Sequence, residues 1–291
     1  MEGRTQKEFC RQMGSAERVS AAKKAQMNIV TVRASALKDL LDCPARFEAK
    51  HIRGLRMPRS GKAQLGTAVH ASTALYDSSA LAGQGITIEE AEGAAVDAIH
   101  KPEEDVEWDD DMGASDAEKI ARALHTKYCR DVAPTQTYAA VEVKCERLEV
   151  TDLGLALTGT TDRIRKSEDG FGIVDLKTGK QAVSADGTVK TAGHAVQLGV
   201  YELLAENASG LRITEPAQII GMQTGKTEKA QRIGTAPVHA ARELLIGTQD
   251  QPGVLEHASQ IIHRGIFFGN PSSNMCHEKY CPAFPTCPFR R

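Results

Sequence analysis

The sequence predicts an α/β fold: a helical N-terminal region, then a core of strands and helices, then a Cys-rich tail. Three observations predict it. Between residues 28 and 134 apolar residues recur mainly at helical spacing. From Tyr138 onward, three successive segments alternate or run short and apolar, as strands do. A helix, a strand pair and a long helix then follow, which is the order of an α/β core rather than of a bundle or a sandwich. The 291 residues, 41% of them hydrophobic, suffice for one good-sized domain or two small ones. The expected division is a flexible extension over 1–27 and one domain over 28–291. Within it, 28–134 is helical, 135–237 is the α/β core, and 238–291 holds the last helix and the cysteines.

Ser35 is the expected cap of a first helix, ALKDLLDCPARFEAKHI, with Leu37, Leu40, Leu41 and Phe47 on one side. AQLGTAVHASTALYDSSAL reads as a second helix, carrying His70. TIEEAEGAAVDAIH is a third, with acids in its first turn. After an acidic loop around Trp108, Ser115 and Glu118 have capping-box spacing before EKIARALHTKYCRDV. YAAVEVKCERLEV, LALTGTTDRIRKS and GFGIVDLKTG are the three strands, and SEDG supplies the turn between the last two. A Gly- and Thr-bearing loop leads to the helix HAVQLGVYELLAEN. AQIIGMQTG and KAQRIGTAPV form a strand pair, and a single helix is expected from about 238 to 263. No internal repeat is evident.

Composition narrows the function. No run of eighteen apolar residues occurs, so no membrane-spanning helix is expected. The basic N-terminus lacks an apolar h-region, which argues against a secretory signal. A cytoplasmic location in a bacterial cell, with a phage-encoded origin open, is the resulting expectation. The net charge of −2 argues against a protein that coats nucleic acid by charge alone. Charge is nonetheless polarised. Six Lys/Arg (Arg46, Lys50, Arg53, Arg56, Arg59, Lys62) face one acid over 46–62, and nine acids face no base over 103–118. Either block alone reads as a solvated helix face, but together they permit a phosphate-attracting surface.

Two adjoining strands end in Asp162 and in Asp175-Leu176-Lys177. Asp175 and Lys177, two apart on a strand, project from one face. If the hairpin 158–178 pairs around SEDG, Asp162 lies near Asp175. Carboxylates on neighbouring strands suit Mg²⁺ or Mn²⁺. An ammonium two residues on can position or deprotonate a water, as phosphodiester hydrolysis requires. Asp-x-Lys is also common on solvated edge strands, and the hairpin alone leaves both readings open.

GTAVH (66–70), Glu142 in a strand, GTTDRI (159–164), VDLKTGK (174–180) and QLGVY (197–201) occur in that order. Together they resemble the RecB-like branch of the PD-(D/E)XK nuclease superfamily over about residues 35–291. The resemblance implies a restriction-endonuclease-like core, a central mixed sheet flanked by helices. It implies His70, Asp162, Asp175 and the main-chain carbonyl of Leu176 as metal ligands, with Glu142 a less constant one. Lys177 would be the catalytic lysine, and Gln197 and Tyr201 would support it or touch the substrate backbone. Asp175 stands where some relatives have Glu.

Of seven cysteines, Cys10, Cys129 and Cys145 are scattered, and Cys276, Cys281 and Cys287 crowd the tail. An odd number in a long chain does not suit a secreted disulfide framework. Three thiols need a fourth ligand, and Cys43 in LLDCPARF is the candidate. Zinc fits this count, with His277 as an alternative ligand, as do unliganded thiols. The layout is also similar to that of CRISPR adaptation nucleases and AddB-type helicase–nucleases, which implies a 4Fe-4S cluster held by Cys43, Cys276, Cys281 and Cys287. The spacing between Cys276 and Cys281 is wider than that pattern's.

The sequence thus leads to a metal-dependent DNA exonuclease on single-stranded or end-processed DNA, in recombination, repair or CRISPR adaptation. Arg53, Arg56, Arg59, Lys62 and Lys180 are the expected DNA contacts, with Lys190 on the same loop as Lys180. The alternative is a non-catalytic DNA-binding subunit. No GxxxxGK[ST] motor motif is present, so a helicase, recombinase or integrase partner would be a separate chain.

Overall fold

The computed structural model describes residues 28–290, so the polar stretch 1–27 and Cys10 lie outside the described residues. One mixed sheet organises the chain, and β2 (Arg59–Ser60) and β3 (Val106–Glu107) form a separate short parallel pair. Strand β5 (Leu155–Lys166) is paired antiparallel with β4 (Tyr138–Val150) along one edge. Its other edge is shared. β1 (Val30–Arg33) runs parallel to it at 155–158, and β6 (Phe171–Gly179) antiparallel at 163–166. The sheet therefore forks at Gly159–Asp162. Beyond β6 come β7 (Ala217–Gln223), parallel, and β8 (Ile233–Val238), antiparallel. The parallel step from β6 to β7 requires a crossover, which helix α6 (Ala195–Ser209) supplies.

Helices cover both faces, as expected for a restriction-endonuclease-like architecture. On one face α1 (Ala36–Asp42), α6, α7 (Ala241–Ile246) and α8 (Val254–Arg264) pack Leu37, Leu198, Leu204, Leu245 and Ile262 against Leu157, Ile173 and Ile219. On the other, α3 (Gly61–Leu81) and α5 (Ala114–Asp131) pack Leu65, Val69, Leu124 and Tyr128 against Val174, Leu176, Ile220 and Met222. Helix α4 (Ile88–His100) completes that layer.

Several boundaries differ from expectation. The first predicted helix breaks at Cys43, whose extended backbone (φ −153°) precedes Pro44. It is α1, a short α2 (Pro44–Phe47) and a π-turn over Glu48–Ile52. Ser35 makes no capping bond. Ser60 caps α3 instead, its hydroxyl accepting from the Ala63 amide at 3.3 Å. α5 begins at Ala114 behind Gly113, so Ser115 is inside the helix and no box forms with Glu118. Thr87 and Glu90 build a reciprocal box at α4. The single helix expected at 238–263 is α7 and α8. Between them the chain folds so tightly that a Cβ on Gly253 would lie 2.3 Å from the Ile246 carbonyl carbon. Strand β1 was not legible at all.

The acidic segment is answered by lysines drawn from across the sequence. Trp108 packs its ring against Gly61. Asp109 pairs with Lys62 at 2.7 Å and with Lys279 at 2.5 Å, Asp111 with Lys180 at 3.2 Å, and Asp116 with Lys226 at 3.2 Å.

Candidate active site

The hairpin brings the predicted acids together. Arg163 pairs with Val174, which places Asp162 and Asp175 side by side at the fork. Asp162 is 8% and Asp175 2% exposed. Along β6, Ile173 joins the α6-side core while Val174 and Leu176 join the α3-side core. Alternation therefore turns Asp175 and Lys177 toward α6. There Lys177 Nζ lies 2.6 Å from Asp175 Oδ2 and donates to Gln197 Oε1 at 3.1 Å. Gln197 Nε2 in turn donates to the Tyr201 hydroxyl at 2.8 Å, one helical turn on. From the opposite layer, α3 brings His70 Nδ1 to 3.5 Å from Asp162 Oδ2, and the Leu176 amide donates to the same oxygen at 2.8 Å.

The two carboxyls are driven apart electrostatically. Burial raises both. At Asp162 the charge of His70, its bond to that ring, Arg163 and the Leu176 amide outweigh burial and hold the carboxyl low. At Asp175 burial dominates, the Asp162 charge adds to it, and Lys177 offsets it incompletely, so the carboxyl is raised. His70 is raised because the Asp162 charge overcomes the effect of burial.

Glu142 stands opposite Asp162 on β4, in the left-handed region at φ 52°. Such a conformation is uncommon for a residue with a Cβ, and here it coincides with a carboxylate at the site. Burial and the Asp162 charge raise Glu142. Its carboxylate comes within 3.8 Å of Arg163.

Hard oxygen donors on neighbouring strands are the set that Mg²⁺ or Mn²⁺ takes. Asp175 Oδ2 is buried without a hydrogen-bond partner, since the close Lys177 contact lacks hydrogen-bond geometry. A buried carboxylate oxygen with one ammonium neighbour and no regular hydrogen bond keeps acceptor capacity for a cation. As placed, among the described residues no three His, Cys, Asp or Glu side chains close into a coordination set. Asp162 faces an amide and a ring, and Asp175 faces a lysine. The donors fit the ion in kind, and these contacts must loosen to receive it.

Two further groups escaped the sequence reading. Arg163, fully buried, donates to Asp77 at 2.9 Å and Thr73 at 3.1 Å on α3. Asp77 also accepts from Tyr128 at 2.6 Å, and Tyr128 bonds Tyr138 at 2.9 Å. The network fastens the His70 helix to the strand of Asp162. His194, at the start of α6, is pushed down to about 4 by burial and by the charges of Lys177, Lys38 and Lys190. Its Nδ1 is buried without a partner. Arg163 lies inside GTTDRI, which gave it no role of its own, and His194 has no local motif.

Cys43, Cys276, Cys281 and Cys287 line one pocket between α1–α2 and the tail. Cys129 and Cys145 are buried in the two main cores instead. His277 does not line that pocket. Its Nδ1 accepts from the Lys279 amide at 3.1 Å and its ring packs on Tyr280 and Phe284. Of the expected DNA contacts, Arg53 and Arg56 stand exposed on the loop after the π-turn, and Lys190 is exposed on its own loop. Lys62 and Lys180 are held by the acidic segment, and Arg59 bonds Thr67. Among the described residues no helix is long and apolar enough to cross a membrane.

A model of the PD-(D/E)XK nuclease superfamily matches residues 31–288. Among solved structures the chain is similar to a "Putative exonuclease" from Eubacterium rectale, at 16% identity over 91% of this chain and 85% of that one, with a TM-score of 0.44. It is also similar to SSO0001, at 14% identity over 97% and 98%, with a TM-score of 0.40. No curated protein matches the sequence significantly.

Proposed function

The chain belongs to the PD-(D/E)XK nuclease superfamily, and we propose that it is a DNA exonuclease of the RecB-like branch, requiring Mg²⁺ or Mn²⁺ and acting on single-stranded or end-processed DNA. The observation that carries this reading is the buried pair Asp162 and Asp175 with Lys177 2.6 Å from the second carboxylate. Asp162, Asp175, the Leu176 carbonyl and His70 would hold the ion, with Glu142 a further donor. When bound there, such an ion would supply acidification of a water and offset charge on the attacked phosphate. Lys177 would place its ammonium beside the attacked phosphate, since its Nζ lies 2.6 Å from Asp175. Gln197 keeps that ammonium in place and is itself fixed by Tyr201. A strongly raised Asp175 supports the reading, because carboxyls crowded in a buried site gain most from a cation.

Digestion of end-labelled linear DNA beside circular single strands tests it. Mn²⁺-dependent loss of linear DNA with circles spared is expected. No cleavage of either with Mg²⁺ or Mn²⁺ would leave a DNA-binding role without catalysis.

We also propose a 4Fe-4S cluster in the cysteine pocket. Four thiols that are 5 to 244 residues apart in sequence line one cavity, and burial raises the Cys281 thiol, with the charges of Cys43 and Cys287 adding to it. Anaerobic purification with metal analysis should give about four iron atoms per chain. One zinc per chain would replace that assignment.

A further inference from the structure

The fork between β1 and β6 opens into a groove of about 610 Å³. Its walls come from both helical layers: Thr67 from α3 and Tyr201 from α6, with Thr158 and Thr160 of β5 as the floor. Among the described residues three cations line it, Arg33 at the end of β1, Arg59 before α3 and Lys144 on β4, and no carboxylate does. Arg33 is exposed. Arg59 bonds the Thr67 hydroxyl, and its Nε is buried without a partner. Among the described residues Lys144 pairs with Glu146 alone, 3.1 Å away and itself largely exposed, a contact that contributes little.

The groove adjoins the acidic site through Tyr201 and Thr160. Tyr201, which holds Gln197 and through it Lys177, lines the groove, and Thr160 is two residues from Asp162 on β5. Cations and hydroxyls without acids, running to a hydrolytic centre, are the lining a phosphodiester backbone selects. The volume of about 610 Å³ is within the range of small-molecule pockets, room for a short stretch of one backbone. Lys62 and Lys180 differ in kind, since Asp109 and Asp111 already neutralise them.

We infer that this groove seats the backbone of one DNA strand approaching Asp162 and Asp175, with Arg33, Arg59 and Lys144 contacting its phosphates. The inference rests on the nuclease reading and moves the substrate path away from Lys62 and Lys180.

Fluorescence anisotropy of a labelled oligothymidylate, with EDTA present to prevent cleavage, tests it on the full chain. Arg33→Ala and Lys144→Ala should each weaken binding about threefold or more, and should each reduce the slope of log K against log salt by about 0.7. Arg33→Lys and Lys144→Arg should restore most of both. Lys62→Ala and Lys180→Ala should bind within about twofold of wild type. Unfolding curves check that the variants are folded. Wild-type affinity and salt slope in both groove variants overturn the inference, as does a larger loss in Lys62→Ala or Lys180→Ala. Tighter binding of blunt duplex with the same losses overturns its single-strand part. Mn²⁺-dependent cleavage of the same oligonucleotide separates the two readings. If wild type cuts and the groove variants bind and cut as it does, the groove alone falls. If wild type neither binds nor cuts, both fall.

Discussion

Arg163 carries a guanidinium at zero exposure one residue from Asp162, and its partners decide whether the fold tolerates it. Asp77, Thr73 and the nearby Glu142 answer it, and Tyr128 completes the shell of Asp77. Removing the cation leaves Asp77 buried and unpaired, so Arg163→Met should cost about 3–5 kcal/mol in urea unfolding. Combining it with Asp77→Asn should cost clearly less than the sum of the two single changes. At the site itself, His70→Ala should raise the Mn²⁺ concentration needed for half-maximal cleavage about tenfold or more, with little change at saturating metal. An unchanged metal requirement would remove His70 from the ligand set. The acids and Lys177 were legible because they sit on one hairpin, where strand alternation and a turn signal fix their positions. Arg163 and Asp77 were not, since they are 86 residues apart and their pairing exists only once α3 lies on the sheet.

Among the elements, the long strands and helices follow their periodicity, while the short ones depend on partners. Strand β1 has four residues, of which only Val32 is buried, and its ladder comes from β5 far along the chain. Helix ends followed local chemistry that competes closely. Pro44 at the first turn of α2 closes α1, and the tight approach of Gly253 to Ile246 parts α7 from α8. Helices α6 and α7 touch where Gly199 leaves no room, a Cβ there falling 2.4 Å from the Ala241 carbonyl oxygen. Gly199→Ala should therefore destabilise the protein by about 1–3 kcal/mol, read by thermal or chemical unfolding. Helix α1 carries a pH-dependent share of stability. Burial raises the Asp39 carboxyl, but bonds from His51 and Lys50 and the charge of Arg46 hold it well below the usual range. A depressed folded pKa contributes stability that is present above the unfolded value of about 3.9 and is lost as pH falls through the folded one. The stability gap between wild type and Asp39→Asn should accordingly be largest near neutrality and shrink below about pH 4. A gap independent of pH would contradict the assignment.

The whole molecule joins distant parts of the chain at two places. Asp109, Asp111 and Asp116 of the acidic block gather Lys62 from the basic block and Lys180, Lys226 and Lys279 from elsewhere in the chain, so these acids are answered mostly by lysines distant in sequence. The tail docks on α1–α2 through Ala45 to Phe268 at 3.0 Å, Asn270 to Asp42 at 2.9 Å and Ser273 to Asp42 at 2.6 Å, beside the four-cysteine pocket. Cys281→Ser should lose bound metal and expose the chain beyond Arg264 to limited proteolysis, whereas Cys145→Ser should do neither. The central claim, that Asp162, Asp175 and Lys177 form a metal-dependent nuclease centre, is tested most directly by Mn²⁺-dependent cleavage of end-labelled DNA by wild type, Asp175→Ala and Lys177→Ala, each shown to be folded. Cleavage by wild type alone, abolished in both variants and by EDTA, is expected; retained cleavage in both variants would contradict the account.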